Sequence, residues 1–172
     1  MFGVIHISYI ALAVAALLVG IDQGIKLIVQ SNLALHESVP FIPGIIHFTY
    51  VENTGAAFNS FDGQRWFLIG LTGLAVLFML YLLIFRKLKN PVIIWHVAVI
   101  LAGGVGNLID RIFRGGSVID YIELRFINFA IFNFADCMVV LGVISLMIYL
   151  LFFDKSDLFH RKHKTDEGGA GS

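Results

Sequence analysis

Residues Ile131 to Phe153 read IFNFADCMVVLGVISLMIYLLFF. From Ala135 onward the run is almost wholly apolar, and it is close to the roughly 20 helical residues that a hydrocarbon core requires. Asn133 and Asp136 stand at its front edge. A carboxylate at the mouth of an apolar helix is costly to desolvate, so it needs the positive end of the helix dipole, a partner, or both.

Three further stretches have the same character: Ser8 to Val29, Trp66 to Phe85 and Val92 to Ile109. With Ala135 to Phe153 they predict four membrane-spanning helices. Composition agrees. The 172 residues are 58% hydrophobic and only 14% charged, against about a quarter charged in ordinary soluble domains. Mean hydropathy is +0.86. The first run has no Lys or Arg before it and carries Asp22 and Lys26 inside it, which predicts a retained helix rather than a cleaved leader.

The formal net charge is +0, so no general basic surface invites nucleic acid, and no nucleic-acid motif is present. The single cysteine, Cys137, excludes an internal disulfide and a Cys-rich metal site. It reads as a small packing residue. The only close His pair, His160 and His163, lies in a polar tail, so no metal and no cofactor is expected. P-loop, HExxH and GxSxG patterns are absent.

Lys and Arg favour the cytoplasmic side of short loops. Arg86, Lys87, Lys89, Lys155, Arg161, Lys162 and Lys164 fall on one side; Arg65, Arg111, Arg114 and Arg125 fall on the other. Both termini and the turn between helices two and three are therefore expected in the cytoplasm. The two long segments, Gln30 to Arg65 and Asp110 to Phe134, are expected outside. Each holds a strand-like piece: GIIHFTYVEN after Pro43, and VIDYIELRFINF, where Val118, Asp120, Ile122 and Leu124 share a face. The two pieces are expected to pair into a small sheet above the helices. One domain over residues 1–154 and a disordered polar tail over 155–172 complete the organisation.

The polar residues among these apolar runs are the functional candidates. Asp22 and Lys26, four apart on helix one, read as a structural ion pair. In VENTGAAF, Asn53 and Gly55 form either an ordinary turn or part of a binding site. In GGVGNLIDR the glycines allow close helix packing. Asn107 and Arg111 share a face, with Arg111 able to hold a peptide carbonyl or a carboxylate. Asp110 reads as a solvated neighbour. Asp120 reads alone as an edge residue, and Asp136 alone as a helix N-terminal charge.

Together, Asp120 and Asp136 are a candidate dyad. The chain between them can fold back and bring both to one rim, flanked by Asn107, Arg111 and Asn133. Two close carboxylates cannot both ionise easily, so the pair holds one proton. One member then takes a proton from water while the other donates to a peptide carbonyl. The alternatives are a small proton-coupled transporter or channel subunit, and a scaffold without chemistry. Against the transporter, the carboxylates gather at one rim and no repeated halves are visible.

DQGIK (Asp22 to Lys26), VENTGAAF (Val51 to Phe58), GGVGNLIDR (Gly103 to Arg111), VIDYI (Val118 to Ile122) and FNFAD (Phe132 to Asp136) resemble, in order and spacing, bacterial lipoprotein signal peptidase, also called signal peptidase II. The resemblance covers roughly Ser8 to Asp154. It implies an inner-membrane aspartic endopeptidase with four transmembrane helices, an extracytoplasmic β-cradle and a short interfacial helix. The implied reaction cleaves diacylglyceryl-modified prolipoproteins just before the lipidated cysteine. It implies Asp120 and Asp136 as the catalytic pair, with Asn53, Gly55, Asn107, Arg111 and Asn133 lining the substrate site. Membrane lipids, cyclic-peptide inhibitors and a monomeric state belong to the same implication. RIFRGGSVID runs longer than the family version, so Arg111 rather than Arg114 is assigned to the site. Crowding near the dyad is expected to favour small substrate residues, and the first outer segment, Gln30 to Arg65, to close over the site as a lid, with the accessibility of Phe58 to Phe61 as its readout.

Overall fold

The computed structural model describes residues 2–55 and 63–153. The tail over 155–172 and, within the expected lid segment, Phe58 to Phe61 lie outside the described residues. Four helices are long and apolar enough to cross a membrane: α1 (Phe2–Asn32), α2 (Arg65–Ile84), α3 (Pro91–Phe113) and α4 (Phe134–Phe152). Three strands, β1 (Ser38–Ile42), β2 (Ile46–Asn53) and β3 (Val118–Leu124), form one antiparallel sheet in the order β1-β2-β3. No short additional helix is present among the described residues.

The helix ends follow from local chemistry. Pro91 opens α3 at a position where its missing N–H costs nothing, and the Asn90 side chain accepts from Val92 N at 2.9 Å. The sequence suggested that α3 stops near Ile109; it continues to Phe113. Asp110 and Arg111 find buried partners, described below, so nothing forces the chain to open there. Arg114 caps the helix by donating its N–H to Asp110 O, and Gly115 and Gly116, with φ of +68° and +105°, turn the chain into β3. The long RIFRGGSVID stretch is thus a helix stop.

Packing centres on α3, which touches the other three helices. Small residues let it approach closely. A Cβ at Gly103 would strike Ala135 O and lie 2.7 Å from Val139 Cγ2. Ala11, Ala15, Ala98 and Ala102 join Val76, Leu83, Ile94, Leu101 and Met138 in the helical core. The outward faces stay apolar, with Leu17, Leu74, Leu77, Phe78, Leu141 and Leu151 all exposed. Such a surface suits lipid rather than water.

The sheet has one strand more than the sequence suggested. SVPFI contains Pro40, which argues against a central strand; β1 accepts it because it is an edge strand with a register shift at Pro40. Gly44, at φ +74°, makes the hairpin turn, closed by Ile45 N donating to Ile42 O. In β3 the expected one-sided alternation gives way to four consecutive buried residues, Val118 to Tyr121. Ile119 and Tyr121 pack with Val29 and Tyr50 against the end of α1. On the other side Asp120 meets Asn53 and Asn133.

Candidate active site

The sheet caps the end of the bundle where α1 and α3 finish and α2 and α4 begin. Asp120 reaches this junction from β3, beside Val51 in the register of β2. It is only 2% exposed. Its carboxylate accepts from Asn133 Nδ2 at 2.6 Å and from Asn53 Nδ2 at 3.0 Å. Burial, and secondarily the negative charge of Asp136, push Asp120 up to about 7, although both amide donors pull it down.

Asp136 is placed by the start of α4. Asn133 is the N-cap, accepting from Asp136 N at 2.9 Å, while Asp136 Oδ2 accepts from Asn133 N at 3.1 Å. This reciprocal capping box orients the carboxylate toward the cap. Asp136 Oδ1 also accepts from Asn107 Nδ2 at 2.7 Å. One residue, Asn133, therefore touches both aspartates. Asn107 closes the group, since its Oδ1 accepts from Asn133 Nδ2 at 3.1 Å.

The first four N–H groups of α4 are all answered. Phe134 N donates to the Tyr121 hydroxyl, Ala135 N to Asp22 Oδ1, Asp136 N to Asn133 Oδ1 and Cys137 N to Asn133 O. A helix N-terminus without such acceptors is costly when buried. Here the acceptors come from β3, from α1 and from the cap itself. Asp22 reaches this position beside Gly106, where a Cβ would lie 2.5 Å from its Oδ2.

Asp22 and Lys26 are both fully buried and 2.9 Å apart, but they do not form a closed pair. Lys26 also meets Asp110 at 2.8 Å and donates to Asn107 Oδ1 at 3.0 Å. All three ammonium donors are used. Asp110 is buried, which corrects the reading of it as a solvated neighbour of Arg111. It further accepts from Arg114 Nε and Gln23 Nε2, both at 3.2 Å. Arg114, set aside in the sequence, thus anchors this group and donates to Gln30 Oε1 as well.

Arg111 is nearly buried, and its terminal nitrogen donates to Gly55 O at 3.1 Å. Gly55 N in turn donates to Asn53 Oδ1 at 2.9 Å. Asn53 therefore makes a local turn and also contacts Asp120. The seven candidate residues Asn53, Gly55, Asn107, Arg111, Asp120, Asn133 and Asp136 converge, and Lys26 connects Asp22 to them.

Sequence reasoning missed Asp110, Gln23 and Tyr121. The signal for Asp110 was available. Gly103, Asn107, Asp110 and Arg114 are spaced by four, three and four, one helical face, legible once α3 is carried past Ile109. Tyr121 and Gln23 had no comparable signal. An open cavity of about 460 Å³ lies beside Asp120, bounded by Val51, Glu52 and Asn53 on one side and 128–131 on the other. Among the described residues no cluster of three His, Cys, Asp or Glu could hold a metal. What the geometry offers is a half-buried carboxylate and a buried one, crosslinked by amides, at the wall of an open cavity.

The family model described as signal peptidase (SPase) II matches residues 14–152. A lipoprotein signal peptidase from Enterococcus faecalis is 40% identical over 146 residues, 83% of this chain and 88% of that protein. One from Streptococcus pyogenes serotype M6 is 44% identical over 137 residues, covering 78% and 88%. Among solved structures, a bacterial membrane enzyme determined by the in meso method at 2.3 Å resolution superposes with a TM-score of 0.77 at 29% identity, covering 91% of this chain and 94% of that one. A second, at 1.9 Å resolution, gives 0.74 at 30% identity, covering 83% and 93%.

Proposed function

The chain belongs to the signal peptidase II family, and on that premise we propose that Asp120 and Asp136 are the aspartic dyad with which it cuts diacylglyceryl-modified prolipoproteins before the lipidated cysteine. It is a multi-pass membrane peptidase that removes signal peptides from prolipoproteins. The observation that carries the mechanism is the crosslink: Asn133 contacts both carboxylates, and Asp120 is pushed up to about 7 by burial and by Asp136. Near neutral pH the pair then shares one proton, with Asp120 the member raised.

The reaction follows from that sharing. Asp136, ionised, accepts a proton from a water whose oxygen bonds to the scissile carbonyl carbon. Asp120 gives its proton to the carbonyl oxygen, and a neutral gem-diol forms. The C–N bond then breaks, the proton held by Asp136 goes to the departing amine, and Asp120 recovers its proton from the collapsing diol. Asn107 and Asn133 keep donors on the carboxylates through the cycle. Asn53, Gly55 and Arg111 form the neighbouring wall that positions the peptide, while Asp22 and Lys26 are structural. Fixed dipoles in a partly buried site act without reorganising.

The substrate is a membrane helix whose acyl chains remain among membrane lipids while its peptide extends to the sheet. The charge bias of the loops supports cytoplasmic termini and an extracytoplasmic site. The protein acts as a monomer, and cyclic-peptide inhibitors of the family occupy the same site. The test is cleavage of a diacylglyceryl-modified prolipoprotein by purified protein in detergent. Asp120→Asn and Asp136→Asn should each be folded and lose activity by at least about a hundredfold. A folded variant that retains full activity refutes the dyad.

A further inference from the structure

Four arginines stand at the sheet end of the bundle, where the charge bias of the loops leaves little room for them. Arg114 meets Asp110, Arg125 meets Glu123, and Arg111 holds Gly55 O amid the charges of Asp136, Asp120 and Asp110. No carboxylate pairs with Arg65 among the described residues. Arg65 is nonetheless held in place. Its stem lies over Gly116, where a Cβ would come 2.7 Å from both Cγ and Cδ. Its Nη2 donates to Ile112 O, in the last turn of α3, at 3.1 Å, and its guanidinium carbon sits 5.0 Å from the centre of the Trp66 ring. Capping the end of α3 explains one donor of the guanidinium fork. Nε is buried without a partner, and Nη1 makes no hydrogen bond among the described residues. The start of α2 supplies no counter-charge either, since its first turn holds no acidic residue and Gln64 makes no side-chain cap.

We infer that Arg65, flanked by Trp66, Ile112 and Phe113, seats the headgroup phosphate of an anionic membrane lipid where α2 begins and α3 ends. The inference goes beyond the dyad reading and does not rest on it. Trp66 is 75% exposed and Phe113 80% exposed, and each stands at the end of a helix long and apolar enough to cross a membrane. Exposed aromatic side chains at such helix ends lie at headgroup level. A guanidinium with unused donors at that level matches phosphate oxygens, which it binds through paired hydrogen bonds. The exposed faces of Trp66, Ile112 and Phe113 then lie along the glycerol and the first methylenes of the lipid. A free phosphate ion has no use for that apolar flank, so the occupant is a lipid. A zwitterionic lipid brings its own cation beside the phosphate and gains less from Arg65, so the preferred lipid is an anionic one.

The test uses the full chain with Trp95→Phe, which leaves Trp66 as the single tryptophan, in phosphatidylcholine vesicles that carry a minor fraction of acyl-brominated lipid. Bromine quenches the fluorescence of a tryptophan only at close range. Brominated phosphatidylglycerol should quench Trp66 as though enriched about fivefold over brominated phosphatidylcholine, the scale of one basic residue acting on one lipid charge. Arg65→Gln should abolish that preference, and Arg65→Lys should keep part of it, since a point charge replaces the fork. Arg65→Met, which keeps the stem over Gly116, takes the place of the Gln variant should that one not fold. Equal quenching by the two lipids when Arg65 is present overturns the site. A preference that survives Arg65→Gln or Arg65→Met overturns it as well, because the general field of the protein then produces it. A preference lost on adding inorganic phosphate, but not sodium chloride of equal ionic strength, overturns the lipid as the occupant.

Discussion

Lys26→Met separates the buried charge group into its parts. The substitution preserves length and bulk but removes the ammonium from a site where Asp22, Asp110 and Lys26 are all fully buried. Two carboxylates would then sit at 2.9 Å and 2.8 Å from where their cation had been, and Asn107 Oδ1 would lose one of its two donors. Removing one member of a buried ion group costs about 3–5 kcal/mol, because the remaining charges stay desolvated. For a chain of this size that is a fall in Tm of roughly 6–20 °C. Replacing all three charges behaves differently. In Lys26→Met combined with Asp22→Asn and Asp110→Asn, the new amide oxygen at position 22 can still accept from Ala135 N, and none of the three positions buries a charge. Stability should then return to within about 2 kcal/mol of wild type. The assay is thermal unfolding in detergent, followed by near-UV circular dichroism. A single variant within about 1 kcal/mol of wild type, or a triple variant no better than the single, would refute the reasoning.

Three other outcomes follow from the geometry. Asn53 donates to the ionised form of Asp120, so Asn53→Ala should move the alkaline limb of the cleavage rate, near pH 7 in wild type, to higher pH; a limb that moves down contradicts the assignment. Asp120 has a folded value of about 7 against about 3.9 in an unfolded chain. The fold binds a proton that the unfolded chain releases between those values, so Asp120 contributes stability below about pH 4 and loses it as pH rises through about 7. Asp120→Asn should flatten that slope in Tm against pH. Gly106→Ala places a methyl 2.5 Å from Asp22 Oδ2 and should cost about 1–3 kcal/mol, whereas Gly70→Ala, with open space around it, should be close to neutral in the same melts.

The membrane helices were legible because each is a long apolar run, and length alone decides them. The site was legible where chemistry forces a residue type: a carboxylate at an apolar helix mouth, an Asn as its cap, a charged pair four apart in a membrane segment. What stayed hidden depended on tertiary partners. Asp110 reads as a loop residue until α3 continues past it, where Lys26 and Arg114 meet its carboxylate. β1 was obscured by Pro40, which an edge strand tolerates and a central strand does not. Tyr121 carries no mark in the sequence that its hydroxyl will receive the first N–H of α4.

The four answered N–H groups at the start of α4 have a consequence for life in bilayers of different thickness. Hydrophobic mismatch is relieved by tilt, by kinking or by adjustment at a helix end. The Asn133 end of α4 is tied to β3, to α1 and to its own cap through four N–H groups, while the helix beyond presents Val140, Leu141, Ile144, Met147, Ile148 and Leu151 outward and is held near Phe152 by a side-chain bond, Asn90 donating to the Tyr149 hydroxyl at 2.7 Å. A thicker or thinner membrane should therefore be accommodated at the Phe152 end. Asp136 then keeps its place against Asp120 while lipid composition changes, and on the dyad reading proposed above the depth of the cut stays constant.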